Sequence, residues 1–218
     1  LYELERLEGM ILERTAYDLK DCYKQQLSTI LSNILVEDDV LCNSEVEHED
    51  NEYYTSLDFL KKVKESFRLK QTTYVDSNNS STKKTTKQLS DETSLRFFNA
   101  ISSFVVSNSD LEGSVPSQSG RMLYPKNGYM GWHNNARFGW RLYCTYCSEN
   151  ALAYFRYEDD SGNLVDCKEN QGWNFRFFYI RDNFSPLWHS IYTETERVSL
   201  GTYLGRDIHK IKNLMETQ

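Results

Sequence analysis

Tyr124-Pro125-Lys126-Asn127-Gly128-Tyr129-Met130-Gly131-Trp132-His133-Asn134-Asn135 opens the stretch whose reading decides the fold, and Arg197-Val198-Ser199-Leu200-Gly201 closes it. Between them lies Leu187-Trp188-His189-Ser190-Ile191. The order is a histidine, a polar residue two positions on, a distant second histidine, then an arginine. It suits a mononuclear metal site inside a β-barrel. Residues two apart on a strand face the same way, so His133 and Asn135 are expected to point into one interior. His189 on a neighbouring strand would complete a three-donor face. Two imidazoles and one oxygen leave adjacent positions open on an octahedral iron, the arrangement that takes a chelating co-substrate plus O2. Arg197 is suited to that co-substrate's far carboxylate, because a guanidinium meets a carboxylate with two parallel hydrogen bonds. Ser199, two residues on and on the same face, adds a further donor.

Working outward, short aromatic and β-branched runs separated by turn residues begin at Met122. Residues 141–147, 151–157, 163–166, 173–180, 188–192 and 197–203 read as strands. Asp159-Asp160-Ser161-Gly162-Asn163 reads as a hairpin turn. Five to eight such strands predict a jelly roll or small barrel. Upstream, Leu4, Leu7, Ile11, Leu19, Tyr23, Leu27, Ile30 and Ile34 recur at helical steps. This predicts an amphipathic helix over 1–35, packed on its own barrel or, in the sharper reading, docking a partner or a second copy. Residues 37–52 are densely acidic and read as a solvated linker. A short helix is expected over 56–69, a polar loop over 76–87, and a helix from the N-cap Ser90 to about Ser107. Residues 108–120 read as loop and 208–215 as a helical tail. The domain reading is therefore an N-terminal helix over 1–36, a linker over 37–55, and a jelly-roll domain with supporting helices over 56–218, its motifs within 122–203.

The net charge of −7 and the absence of a long basic run speak against non-specific nucleic-acid binding. No apolar run reaches the roughly 18–20 residues that span a bilayer. The first residues are too acidic and amphipathic for a signal peptide, and the start without Met predicts trimming. A cytoplasmic location is expected. The cysteine count of 5 is odd, which argues against a disulfide framework. Cys144 and Cys147 fall on opposite faces of one strand and read as reduced, buried thiols.

These residues resemble the iron(II)/2-oxoglutarate-dependent dioxygenases, in particular the prolyl-hydroxylase branch. The Tyr124 to His133 segment is similar to that branch's run from a tyrosine to the first iron ligand. His189 resembles its second histidine, and Arg197-Val198-Ser199 its Arg-x-Ser. The Gly-Trp-His-Asn-Asn and Leu-Trp-His segments look most like phage-encoded members. The resemblance covers residues 122–203. It implies an α+β chain built on a double-stranded β-helix (jelly roll) with N-terminal supporting helices. It further implies Fe(II) held by His133, Asn135 and His189, and 2-oxoglutarate held by Arg197, Ser199, Tyr124, Tyr143 and Tyr146. The activity implied is hydroxylation of an unknown protein or small molecule. One residue departs from the pattern: the family places Asp or Glu where this chain has Asn135. An amide oxygen brings no negative charge to a hard cation. Asn135 then ligates weakly, or Glu149 or Glu158 substitutes, or the site is dead. The last case predicts an inactive assembly protein, with a virion as the alternative location.

Overall fold

The structure is a computed structural model that describes residues 16–41, 51–71, 86–111, 116–135, 137–180 and 187–216. The expected loop over 76–87 lies almost wholly outside these residues. So do positions 1–15 of the expected N-terminal helix and most of the acidic stretch.

Among the described residues, ten strands form two antiparallel sheets. The larger holds β1 (Ala16–Asp18), β2 (Lys87–Gln88), β3 (Ser117–Tyr124), β5 (Gly139–Cys147), β8 (Gly172–Ile180) and β10 (Arg197–Gly205). Its order is β1-β8-β5-β10-β3-β2. The smaller holds β4 (Tyr129–His133), β6 (Ala153–Glu158), β7 (Leu164–Lys168) and β9 (His189–Thr193), in the order β4-β9-β6-β7. No strand of one sheet pairs with a strand of the other among the described residues. The expectation of a closed double-stranded β-helix is corrected accordingly: the molecule is built on two open sheets. Alternation and turn residues report where strands are, but closure depends on which edges meet. Here the edges end on strands as short as Lys87–Gln88, and they stay open.

The two sheets pack face to face. Phe155 of the smaller sheet meets Phe178 of the larger at a ring-centroid distance of 4.3 Å, within a layer that includes Tyr124, Tyr157, Ile180, Leu187 and Ile191. The outer face of the larger sheet is covered by helices. Asp21–Glu37 is helical (α1), because Leu27, Leu31, Ile34 and Leu35 make one apolar stripe, and all four are buried. Asp91–Asn108 (α4) buries Phe97, Ile101, Phe104 and Val105 beside it. Both helices pack on Leu142, Cys144, Phe175, Phe177, Val198 and Leu200. The described part of the first helix thus spends its apolar side on its own sheet. Trp173 also donates from Nε1 to Ser32 Oγ at 3.1 Å. Residues 16–18, expected as helix, instead pair with β8 as an edge strand.

The outer face of the smaller sheet is covered by Asn51–Tyr54 (α2) and Leu57–Gln71 (α3). Leu60, Trp132 and Trp188 form a buried cluster there. Trp132 donates from Nε1 to the Ser56 carbonyl at 2.8 Å, which fixes β4 from behind. No helix among the described residues is long and apolar enough to cross a membrane.

Ser90 caps α4 as its type predicts: its hydroxyl accepts from the Thr93 N–H at 3.1 Å. Ser90→Ala is expected to cost about 1 kcal/mol of stability, read as a lower urea midpoint with an unchanged slope.

Candidate metal centre and the adjoining ion pair

The two histidines come together between the sheets. His133 and His189 sit opposite one another in register on β4 and β9. Their ring centroids are 4.1 Å apart, and the rings are tilted by 56°. His133 Nδ1 lies 2.9 Å from the Gly131 carbonyl, and His189 Nδ1 lies 2.9 Å from the Leu187 carbonyl. A carbonyl only accepts, so each Nδ1 carries a proton, and in the neutral His189 the Nε2 lone pair faces Asn135. This is how a metal-ligating imidazole is usually held, with its other nitrogen donating to a backbone oxygen. Phe155 stacks on His189 at 4.9 Å and fixes the ring plane.

Asn135 completes the group. Its Nδ2 lies 3.2 Å from His189 Nε2 and donates to the Tyr143 hydroxyl at 3.4 Å. A half-turn of the amide exchanges Nδ2 for Oδ1. The same side chain can therefore cap the Nε2 lone pair or turn an oxygen towards a cation beside it.

Electrostatics keep His189 neutral. Burial lowers the His189 pKa well below the ordinary imidazole value, and the neighbouring His133 and Arg141 lower it further. Arg141 is buried and donates to the Arg137 carbonyl at 2.8 Å, while its Nε and Nη1 have no hydrogen-bond partner. A depressed folded pKa leaves stability complete above the unfolded value of about 6.5 and removes it as pH falls through the folded one. The metal-free protein is therefore expected to lose urea stability on going from about pH 7.5 to pH 5.5. His189→Gln is expected to flatten that slope.

Neither alternative carboxylate stands at the imidazoles. Glu149 is bound to Lys126 at 2.6 Å near the surface. Glu158 is bound to Lys64 of α3 at 2.8 Å, on the outer face of its sheet. Among the described residues no group of three or more His, Cys, Asp or Glu is gathered to hold a metal. The donor set is two imidazoles and an amide, and it fits a transition-metal ion that accepts nitrogen ligands without an anionic partner.

Arg197 lies in the same inter-sheet layer, but it is already engaged. Its Nε donates to Glu169 Oε2 at 2.5 Å, and its Nη2 donates to Glu169 Oε1 at 2.8 Å. Arg197 is 1% exposed and Glu169 6%. Glu169 also accepts from Thr145 Oγ1 at 3.0 Å, with the Cys147 thiol 3.7 Å away. Burial pushes the Glu169 carboxyl up, but the Arg197 charge and its hydrogen bonds outweigh this and hold it below its ordinary value. The Tyr124 ring lies 5.0 Å from the guanidinium. A small cleft, partly open to solvent, adjoins the pair and is lined by Tyr143, Phe155, Asn174 and Arg176 among others. The residues expected to hold 2-oxoglutarate therefore do not fit it here, because an internal carboxylate occupies the guanidinium fork.

The sequence-predicted residues divide by face. Arg197 and Ser199 are in register with Cys147 and Thr145, and Tyr143 follows on the same side. Tyr124 pairs with Arg197 from β3. Tyr146 is not with them: it is in register with Val198, and its ring packs on Trp173 at 5.4 Å under the helices. Glu169 was not anticipated, since a charged residue in Lys168-Glu169-Asn170-Gln171 reads as a solvated turn. The available signal was Arg197 itself, because a guanidinium placed in a core needs a counter-charge.

No protein-family model matches this chain, and no curated protein does. Among solved structures it is similar to a crystal structure of a prolyl-4-hydroxylase from Pseudomonas putida. The identity is 12%, the match covers 83% of this chain and 99% of the other, and the TM-score is 0.38. This is a loose, distant likeness and does not bear on the residues of the site. Nothing in the structure bears on a phage origin or a virion.

Proposed function

We propose that this chain is a dioxygenase-like protein that binds one divalent transition-metal ion between its two sheets. Nε2 of His133 and Nε2 of His189 are the nitrogen donors, and Asn135 Oδ1 is the oxygen donor after a half-turn of its amide. The observation that carries this reading is the in-register pairing of two imidazoles with ring centroids 4.1 Å apart, each anchored through Nδ1 on a backbone carbonyl at 2.9 Å. Iron(II) is the ion that the resemblance implies. When bound, it would supply an electron-rich centre for O2. The chain's own contribution is a pre-oriented pocket in which burial holds the His189 imidazole unprotonated and Phe155 stacks on its ring.

The second reading is a hydroxylase that uses 2-oxoglutarate on an unknown substrate. The Glu169–Arg197 pair disfavours it, and favours a protein whose metal centre works without that co-substrate or serves structure alone. Anaerobic titration with Co(II), then Fe(II), separates these readings. One ion per chain is expected, with affinity lowered at least about tenfold in His133→Ala and in His189→Ala. Binding unchanged in both variants would remove the metal reading. A visible charge-transfer band with 2-oxoglutarate, followed by succinate formation, would establish the hydroxylase instead.

A further inference from the structure

We propose that Glu169 is the resident ligand of the Arg197 anion site: an internal carboxylate that sets the specificity of the inter-sheet cleft by excluding external carboxylates from it. The pair has the geometry of a bound ligand rather than a loose surface contact. Two parallel N–H donors reach the two oxygens separately, at 2.5 and 2.8 Å, and Thr145 adds a third bond at 3.0 Å. The side chains of Arg197 and Glu169 are 1% and 2% exposed. Glu169 enters from the segment between β7 and β8, and its backbone N–H donates to the Ala153 carbonyl at 3.0 Å. This bond ties the segment to the edge of β6 and holds the carboxylate in place.

The cleft beyond the pair has apolar and polar walls. Tyr143, Phe155 and Phe178 give it apolar walls, and Asn174 and Arg176 give it polar ones. Arg197 keeps one nitrogen, Nη1, buried and without a hydrogen-bond partner. Glu169→Ala removes the side chain beyond Cβ, so it leaves the charged fork facing a vacated space the size of acetate. A free carboxylate can then regain what Glu169 supplied, whereas a neutral isostere cannot. In the native chain an incoming carboxylate must first displace a tethered one, whose local concentration is high. The cleft is thus closed to 2-oxo acids while Glu169 is seated. This inference does not rest on the metal reading and is tested with chelator present.

The experiment compares the native chain, Glu169→Ala and Glu169→Ala/Arg197→Met by thermal denaturation and calorimetry. Acetate and 2-oxoglutarate are titrated in, with acetamide as the neutral control. Carboxylates are expected to stabilise Glu169→Ala above the acetamide control and to bind it at least about tenfold tighter than the native chain. The double variant should lose that response. If Glu169→Ala does not fold in plain buffer, the same titration is read as recovery of the near-ultraviolet circular dichroism signal. Equal 2-oxoglutarate binding by the native chain and Glu169→Ala would overturn the proposal. So would acetate that stabilises Glu169→Ala, or restores its folding, no better than acetamide does.

Discussion

Arg197→Met, with Glu169 left in place, is expected to cost about 3–5 kcal/mol of folding free energy, because it strands a carboxylate in a site with almost no water. Urea denaturation followed by tryptophan fluorescence measures it. Arg197→Met/Glu169→Leu is expected to recover most of the loss, since removing both charges removes the desolvation penalty together with the attraction. A double variant as unstable as the single one would show that packing around the side chains, not charge, holds the layer together. The exposed Lys126–Glu149 bridge at 2.6 Å provides the contrast: breaking it is expected to cost under about 1 kcal/mol. The buried pair also sets an acid limit. The Glu169 carboxyl is held below its ordinary value, so its share of stability is present above the unfolded carboxyl value of about 4.3 and is lost as pH falls through the folded one.

Asn135→Asp is expected to tighten divalent-metal binding by at least about tenfold. Changes one shell beyond the ligands at metal sites already move affinity by about 10- to 100-fold, and this substitution adds a full negative charge at a donor position. The Asn135 side chain is within 3.2 Å of His189 Nε2, so the new carboxylate would stand beside the ion. Buried Arg141, whose charge acts on His189 and whose Nε and Nη1 have no hydrogen-bond partner, is placed to temper the cost of that charge in the metal-free state. Competition titration with Co(II) or Zn(II) reads the change. Equal affinities in the two proteins would show that residue 135 does not touch the ion.

Much of this was legible from residue patterns. The Ser90 cap marks the start of α4, but its buried stripe runs through Phe97, Ile101, Phe104 and Val105, where the spacing suggests Leu95, Phe98, Ile101 and Val105; Trp173 to Ile180 marks β8 to within one residue. The two histidines and Arg197 do share one layer. Other features needed the third dimension. Gln118 and Gly120 have little strand character, yet β3 starts at Ser117 because β10 offers it a partner. The tail from Ile208 becomes two short 3-10 turns rather than a helix. Tyr146 could have been excluded by the rule that separates Cys144 from Cys147. An odd offset from Tyr143 sends its ring to the opposite face, and Trp173 receives it there. Sheet closure and the role of Glu169 were the hardest to read, because each depends on segments that meet only after the strands have assembled.

The Cys147 thiol beside Glu169 has a use of its own. Burial and the adjacent carboxylate push its pKa up to about 12. At pH 7 the reactive thiolate is then on the order of one molecule in 100,000. Cys22, by contrast, is exposed. Alkylating reagents should mark Cys22 at once and reach Cys147 only when the sandwich breathes, so one chain carries both a handle on its rim and a slow clock at its centre.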